Sequence, residues 1–216
     1  MTEIGVIGSG AMGAGIAQVA ASAGHAVVIY DNNPVALDKA RNELVKTLQK
    51  LVEKQKITSA EATEIQEHTN YVNDLQAFAN CEMVIEAIVE NLGVKQQVFA
   101  ELENVLSETC ILATNTSSLS IASIAASCKN SKRIIGIHFF NPAPIMPLVE
   151  IIPAITTASE VLETAKKMID SWGKVTVVTK DTPGFIVNRV ARSYYGESVR
   201  IFEEGVADFA TIYGAM

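Results

Sequence analysis

The sequence predicts an α/β protein built on a doubly wound, mostly parallel sheet. Three observations predict it. Short apolar runs rich in Val and Ile alternate with longer amphipathic runs along most of the chain. The first apolar run, Glu3 to Gly8, passes straight into a glycine-rich turn. The second, Ala26 to Tyr30, ends on an acid, Asp31. Alternation at this density implies parallel strands with helices on both faces.

The elements follow in order. Strand 3–8 leads through Gly8-Ser9-Gly10-Ala11-Met12-Gly13 into a small-residue helix at 11–23. Gly8 permits a tight turn, Gly10 lets backbone approach a pyrophosphate, and Gly13 allows close helix–strand packing. The helix N-terminus then offers free N–H groups to the anion. This is the Rossmann-type arrangement for a dinucleotide. Strand 25–31 delivers Asp31, 18 residues past Gly13, where a carboxylate meets the adenine ribose hydroxyls. Asn32, Asn33 and Pro34 follow it, with no cation to receive a 2′-phosphate, so NAD is expected over NADP. The alternative is a strand-ending Asp that only caps the helix starting at Pro34.

Helices are predicted next at 34–55 and 59–67, the second opened by the capping-box sequence Thr58-Ser59-Ala60-Glu61. Strands 70–72 and 82–86, helix 94–107, strand 110–114 and helix 119–127 continue the alternation. Strands 133–140 and 148–152 flank a loop stiffened by Pro142, Pro144 and Pro147. Helix 159–172 and strand 174–179 complete the sheet. Asp181-Thr182-Pro183 reads as a helix start, with Pro where a missing N–H costs nothing. A helix at 183–204 carries Val187, Val190, Ala191, Tyr194, Ser198, Ile201 and Phe202 on one mainly apolar face. The expected division is therefore a dinucleotide-binding domain at 1–180 and the truncated start of an all-α domain at 181–216.

Composition narrows the function. A net charge of −7 argues against nucleic-acid surfaces and anionic membranes. No apolar stretch approaches the ~18 residues of a membrane span. Cys81, Cys110 and Cys128 form no CxxC pair, and Cys81 and Cys110, at strand starts, suit core thiols in a reducing compartment. With a strand starting at residue 3, a signal peptide is not expected and the cytoplasm is, a mature organelle-matrix form being the other option. Three His and three scattered Cys show no metal-ligand spacing.

Polar groups at the carboxyl ends of the strands are the candidates for chemistry. Thr114-Asn115-Thr116-Ser117-Ser118 follows one strand, and is either a turn and helix cap or part of a site. His138 lies near the end of another. Glu150, inside Leu148-Val149-Glu150-Ile151-Ile152, needs a partner if buried. The proline-rich loop can return the chain so that Glu150 faces His138. Such a pair fixes the imidazole tautomer and supports its protonated form, as acid–base chemistry requires, or is a structural ion pair. Asn188 interrupts the apolar face of the last helix, either as a surface amide or as a donor to a substrate oxygen. Lys46, Lys50 and Lys54 recur at i, i+4 as a basic stripe, a solvated face or an anion contact.

These segments, with Val84-Ile85-Glu86-Ala87-Ile88-Val89-Glu90-Asn91, His138-Phe139-Phe140-Asn141-Pro142 and Asp181-Thr182-Pro183-Gly184-Phe185-Ile186-Val187-Asn188-Arg189, resemble the L-3-hydroxyacyl-CoA dehydrogenase family. Its short-chain, 3-hydroxybutyryl-CoA branch fits best. The resemblance covers essentially the whole chain. It implies interconversion of 3-hydroxyacyl-CoA and 3-ketoacyl-CoA with NAD, in fatty acid metabolism. It implies His138 as the acid–base, Glu150 as its orienting partner, and Ser117 and Asn188 on the substrate oxygen. It places Glu90, Lys95, Ser117 and Asn141 along the nicotinamide half of the cofactor, with Gly8, Ser9, Gly10, Ala11, Met12, Gly13 and Asp31 on the rest. Thr47 and Lys54 match its CoA-contacting helix positions, with Lys50 between them in the basic stripe.

Two departures stand out. Pro147 occupies a position where many short-chain members carry Lys. The family's helical domain also runs well past Gly205–Met216, and that part normally supplies acyl-pocket residues and most of a homodimer interface. The alternatives are a related NAD-dependent hydroxyacid or sugar-acid dehydrogenase, or a non-catalytic NAD-binding fragment.

Overall fold

A computed structural model describes residues 2–216. All eight predicted strands are present, trimmed or extended by a residue at their ends. They are β1 Glu3–Ile7, β2 Ala26–Tyr30, β3 Thr69–Val72, β4 Met83–Glu86, β5 Ile111–Thr114, β6 Ile134–Phe139, β7 Leu148–Pro153 and β8 Val175–Val178. The helices are α1 Ala11–Ser22, α2 Pro34–Glu53, α3 Ser59–Glu67, α4 Leu92–Leu102, α5 Ile121–Ala125, α6 Ser159–Ser171, α7 Val187–Glu203 and α8 Phe209–Ala215.

The strands form one sheet in the order β3-β2-β1-β4-β5-β6-β7-β8. β1 to β6 pair in parallel, β7 runs antiparallel to β6, and β8 is parallel to β7. The order reverses between β1 and β4, so a crevice opens beyond their carboxyl ends. Both faces of the sheet are covered, which is why β6 is buried at every position. One face packs Ile16, Ala20, Leu48, Ile65 and Ile169 against it, and the other packs Phe78, Phe99, Leu102, Ile121 and Ile124. Each Ile, Leu or Phe side chain among them, fully buried, contributes about 1.5–3 kcal/mol.

Local signals account for most helix ends. Thr58 and Glu61 form the capping box ahead of α3. Asn33 caps α2, its side chain accepting from Val35 N. Asp31 therefore does not cap α2. Burial raises the Cys81 thiol and pushes Cys110 up to about 12 and Cys128 to about 11, so none is reactive at neutral pH. No helix among the described residues is long and apolar enough to cross a membrane.

The chain after β8 departs from the expected pattern. Pro183 does not begin a helix. Phe185 N donates to Thr182 O, and Gly184 sits at φ +76°, which makes Thr182–Phe185 a turn with Pro at its second position. The helix begins only at Val187. α8 was not anticipated, although Asp208 caps it by accepting from Thr211 N. It turns back on α7, stacking Phe209 on Phe202 at 3.7 Å. The rest of the α7 apolar face is open, with Val190 and Tyr194 exposed.

Candidate functional site

The glycine-rich turn has the shape that a pyrophosphate requires. Gly8 sits at φ +97°, and a Cβ there would reach the Ala87 carbonyl. A Cβ on Gly13 would collide with the Gly8 carbonyl, so the first turn of α1 lies hard against the strand end. Above Gly10 nothing lies within 4 Å of a built Cβ. Gly10 is the N-cap of α1, no side chain caps that helix, and its first turn holds no acid. The first N–H groups of α1 are therefore left without a side-chain cap, a ready anion site.

A cavity of about 660 Å³ runs from Gly8 and Gly10 to Asp31, walled by Tyr30, Ile88 and Val98. One Asp31 oxygen accepts from Ser9 N at 2.9 Å and Ser9 Oγ at 2.8 Å, and the other from Asn33 N at 3.0 Å. Burial alone would raise the Asp31 carboxyl; these hydrogen bonds hold it below the usual carboxylate range. An ionised, fixed carboxylate at the end of an apolar slot fits an adenosine ribose. The residues present thus fit NAD. Asp31→Ala is expected to weaken NAD binding by about 1.5–3 kcal/mol, the value of a hydrogen bond to a charged group. Titration of both dinucleotides checks this, with the ratio of NAD to NADP affinity falling in the variant.

The second group gathers around β5 and β6. The antiparallel return of β7 places Glu150 directly opposite His138 in the register. Their side chains therefore share one face of the sheet. His138 Nδ1 lies 2.8 Å from Glu150 Oε2, and Glu150 is fully buried. An ionised carboxylate only accepts, so Nδ1 carries the proton and Nε2 is the nitrogen left for a ligand. The other Glu150 oxygen accepts from Ile186 N at 2.9 Å and Val187 N at 3.0 Å, at the start of α7. Asn188, two residues into that segment, donates through Nδ2 to Ser117 O at 3.4 Å. Asn115 Oδ1 accepts from Phe139 N, tying the loop after β5 to β6.

A carboxylate holds the Ser117 loop itself. Glu90 Oε1 accepts from Thr116 Oγ1 at 2.5 Å, Ser117 N at 3.0 Å and Ser118 Oγ at 3.1 Å. Burial would raise the Glu90 carboxyl, but Thr116 and the Lys95 charge keep it low. Lys95 forms a buried ion pair beside this loop. It is 1% exposed, with its ammonium 2.6 Å from Glu86 and 3.4 Å from Glu90. Glu86, which the sequence reading passed over, is fully buried and also accepts from Thr114 Oγ1 and Ile88 N. An acid at the end of a buried strand, with Lys at i+9 on the next helix, was the available signal.

A larger cavity of about 1360 Å³ lies between α1, α2 and the proline-rich loop. Ser9, Gly10 and Asn141 line it, so Asn141 faces this cavity rather than the one ending at Asp31. Thr47 lines it too, together with Lys39, Lys56 and Lys174. The stripe Lys46, Lys50 and Lys54 does not: Lys46 pairs with Glu43 at 2.8 Å in solvent, and Lys50 and Lys54 are exposed outside the wall. The reason is the end of α2. Lys56 N bonds back to Leu51 O while Gln55 adopts φ +54°, and this turn brings Lys56 over the cavity. Among the described residues no cluster of three or more His, Cys, Asp or Glu is arranged to hold a metal.

The chain has well-defined relatives. A family model described as "3-hydroxyacyl-CoA dehydrogenase, NAD binding domain" matches residues 3–182. The chain is similar to the 3-hydroxyadipyl-CoA dehydrogenase of Escherichia coli K12, at 48% identity over 94% of this chain and 43% of that protein. It is 42% identical to the 3-hydroxybutyryl-CoA dehydrogenase of Clostridioides difficile, over 99% of this chain and 76% of that one. The solved (S)-3-hydroxybutyryl-CoA dehydrogenase of Ralstonia eutropha superposes with a TM-score of 0.94 at 32% identity, covering 98% of this chain and 75% of that one. The chain thus spans less than half of the first relative and about three quarters of the other two.

Proposed function

The chain belongs to the 3-hydroxyacyl-CoA dehydrogenase family, and on that premise we propose that it interconverts an L-3-hydroxyacyl-CoA and the 3-ketoacyl-CoA with NAD. The observation that carries this reading is the buried His138–Glu150 pair opposite the Ser117–Asn188 contact, all at the carboxyl end of the sheet. NAD, when bound, supplies the acceptor of the substrate hydride.

The remaining work belongs to the protein. His138 Nε2 takes the substrate hydroxyl proton during oxidation and returns it during reduction. Glu150 holds the ring by Nδ1 and stabilises the imidazolium while the proton is on it. Ser117 and Asn188 hold the substrate oxygen where Nε2 reaches it. Glu90 fixes the Ser117 loop, and Glu90, Lys95 and Asn141 line the nicotinamide half of the cofactor. The amides of α1 take the pyrophosphate and Asp31 the ribose.

The larger cavity is assigned to CoA. Thr47, Lys39 and Lys56 offer a hydroxyl and two cations at its wall, beside the exposed Lys50 and Lys54. Lys56→Glu should raise KM for acetoacetyl-CoA about tenfold at low ionic strength and much less at ~1 M salt, where the Debye length is only ~3 Å. Lys46→Glu, which alters a solvent ion pair, should change it little. The ratio of the two KM values across a salt series is the measurement.

The relatives' names agree on a 3-hydroxyacyl-CoA and differ in the acyl tail, butyryl in one and adipyl in another. We assign the short-chain tail. The test is a substrate panel with NADH: acetoacetyl-CoA, longer 3-ketoacyl-CoA species, 3-ketoadipyl-CoA and a CoA-free ketoacid. The reading predicts turnover of the CoA thioesters led by acetoacetyl-CoA. Preference for the CoA-free acid would favour the sugar-acid or hydroxyacid alternative. A cytoplasmic location completes the proposal.

A further inference from the structure

Residues 181–187 join three parts of the site that are far apart in sequence. At one end, the Asp181 carboxylate accepts from Ser120 Oγ at 2.9 Å, Ile121 N at 3.0 Å and Ala122 N at 2.8 Å. Those groups open α5, three residues beyond Ser117. At the other end, Ile186 N and Val187 N donate to Glu150 Oε1, the oxygen that His138 does not use. Between them lies the turn, with two successive residues in the left-handed region: Gly184 at φ +76° and Phe185 at φ +47°. For Gly this is free, whereas for a bulky aromatic residue it costs energy and persists only where the surroundings enforce it. What enforces it is visible. The Phe185 ring is 2% exposed and packs 5.6 Å from the His138 ring.

We propose that residues 181–187 form a positioning strap, in which Asp181 and Phe185 hold the Ser117 loop, the His138–Glu150 pair and Asn188 in one fixed geometry. The proposal rests on the functional reading above and adds two positioning residues to it. Neither touches substrate. With the N-cap and first-residue amides of α7 on Glu150, α7 cannot shift without loosening the carboxylate that orients His138. The register of Asn188 and the direction of Nε2 are thereby set together.

The strap is tested by amide hydrogen exchange on the 216-residue chain and its variants Phe185→Leu and Asp181→Ala. Exchange at Ile186 and Val187 should speed up about tenfold or more in each variant, while Ile135 and Ile137 in β6 keep their protection. The His138 Nδ1 proton, identified by its loss in His138→Gln, should broaden. In the acetoacetyl-CoA assay kcat should fall about tenfold with KM for NADH unchanged, because neither residue lines the Asp31 cavity. Wild-type exchange at Ile186 and Val187 in both variants overturns the strap. If Phe185→Leu fails to fold, Asp181→Ala, which removes no buried apolar group, decides alone. The exchange readout needs no turnover, so it stands apart from the functional reading: an active His138→Gln variant would sink that reading and leave the strap to be judged by its amides.

Discussion

Replacing His138 by Gln is expected to lower kcat for acetoacetyl-CoA reduction by about 10²–10⁴-fold, the contribution of a positioned acid–base group. The amide keeps roughly the bulk of the ring but cannot carry a proton between substrate and solvent. NADH affinity should change little, since His138 lines neither the Asp31 cavity nor the turn at Gly8–Gly13. Glu150→Gln should fall between the two. Its amide still offers one oxygen, yet it cannot satisfy both His138 Nδ1 and the two amides at the start of α7 while stabilising an imidazolium. Steady-state kcat and KM, with NADH binding measured separately, distinguish lost chemistry from lost binding.

The second large effect concerns stability. Lys95→Met should destabilise the fold by about 3–5 kcal/mol, the usual result of leaving one partner of a buried ion pair alone. Glu86 would keep Thr114 Oγ1 and Ile88 N as donors but lose the Lys95 cation, at zero exposure. For a chain of this size the fall in Tm is on the order of 10 °C. Adding Glu86→Gln to Lys95→Met should recover much of the loss, because a neutral amide in that place costs far less than a bare carboxylate. A double-mutant cycle by thermal unfolding measures the recovery. No recovery would mean that the aliphatic stem of Lys95, and not its charge, is what the β4–α4 junction requires.

Much of this architecture was legible because local chemistry and global topology agree. Buried strands read as short Val- and Ile-rich runs, and Gly8-Ser9-Gly10-Ala11-Met12-Gly13 could serve few purposes other than a tight strand-to-helix turn. The His138–Glu150 pairing was also legible, since a short loop between two strands brings their facing ends together. What was not legible depended on side chains that reach across the fold. Asp181 looked like part of a local helix start, and instead its carboxylate caps α5, 60 residues away in sequence. The ion pair of Lys95 with Glu86, which lies on a different element, was not legible either. The basic stripe followed helical periodicity correctly, but the residue that faces the cavity, Lys56, gets there through a left-handed Gln55 beyond the helix end. Sequence periodicity describes a regular element and loses its hold where the backbone leaves that element.

The central claim is that His138, held by Glu150, moves a proton between this chain and a 3-ketoacyl-CoA. Its most direct test is a single-turnover experiment, with the 216-residue protein in excess over NADH and acetoacetyl-CoA then added. The account predicts loss of NADH absorbance only after acetoacetyl-CoA is added, with the loss slowed at least about 10²-fold in His138→Gln. Acetoacetyl-CoA-dependent oxidation of NADH at the same rate in both proteins would contradict it, as would bound NADH that acetoacetyl-CoA leaves untouched.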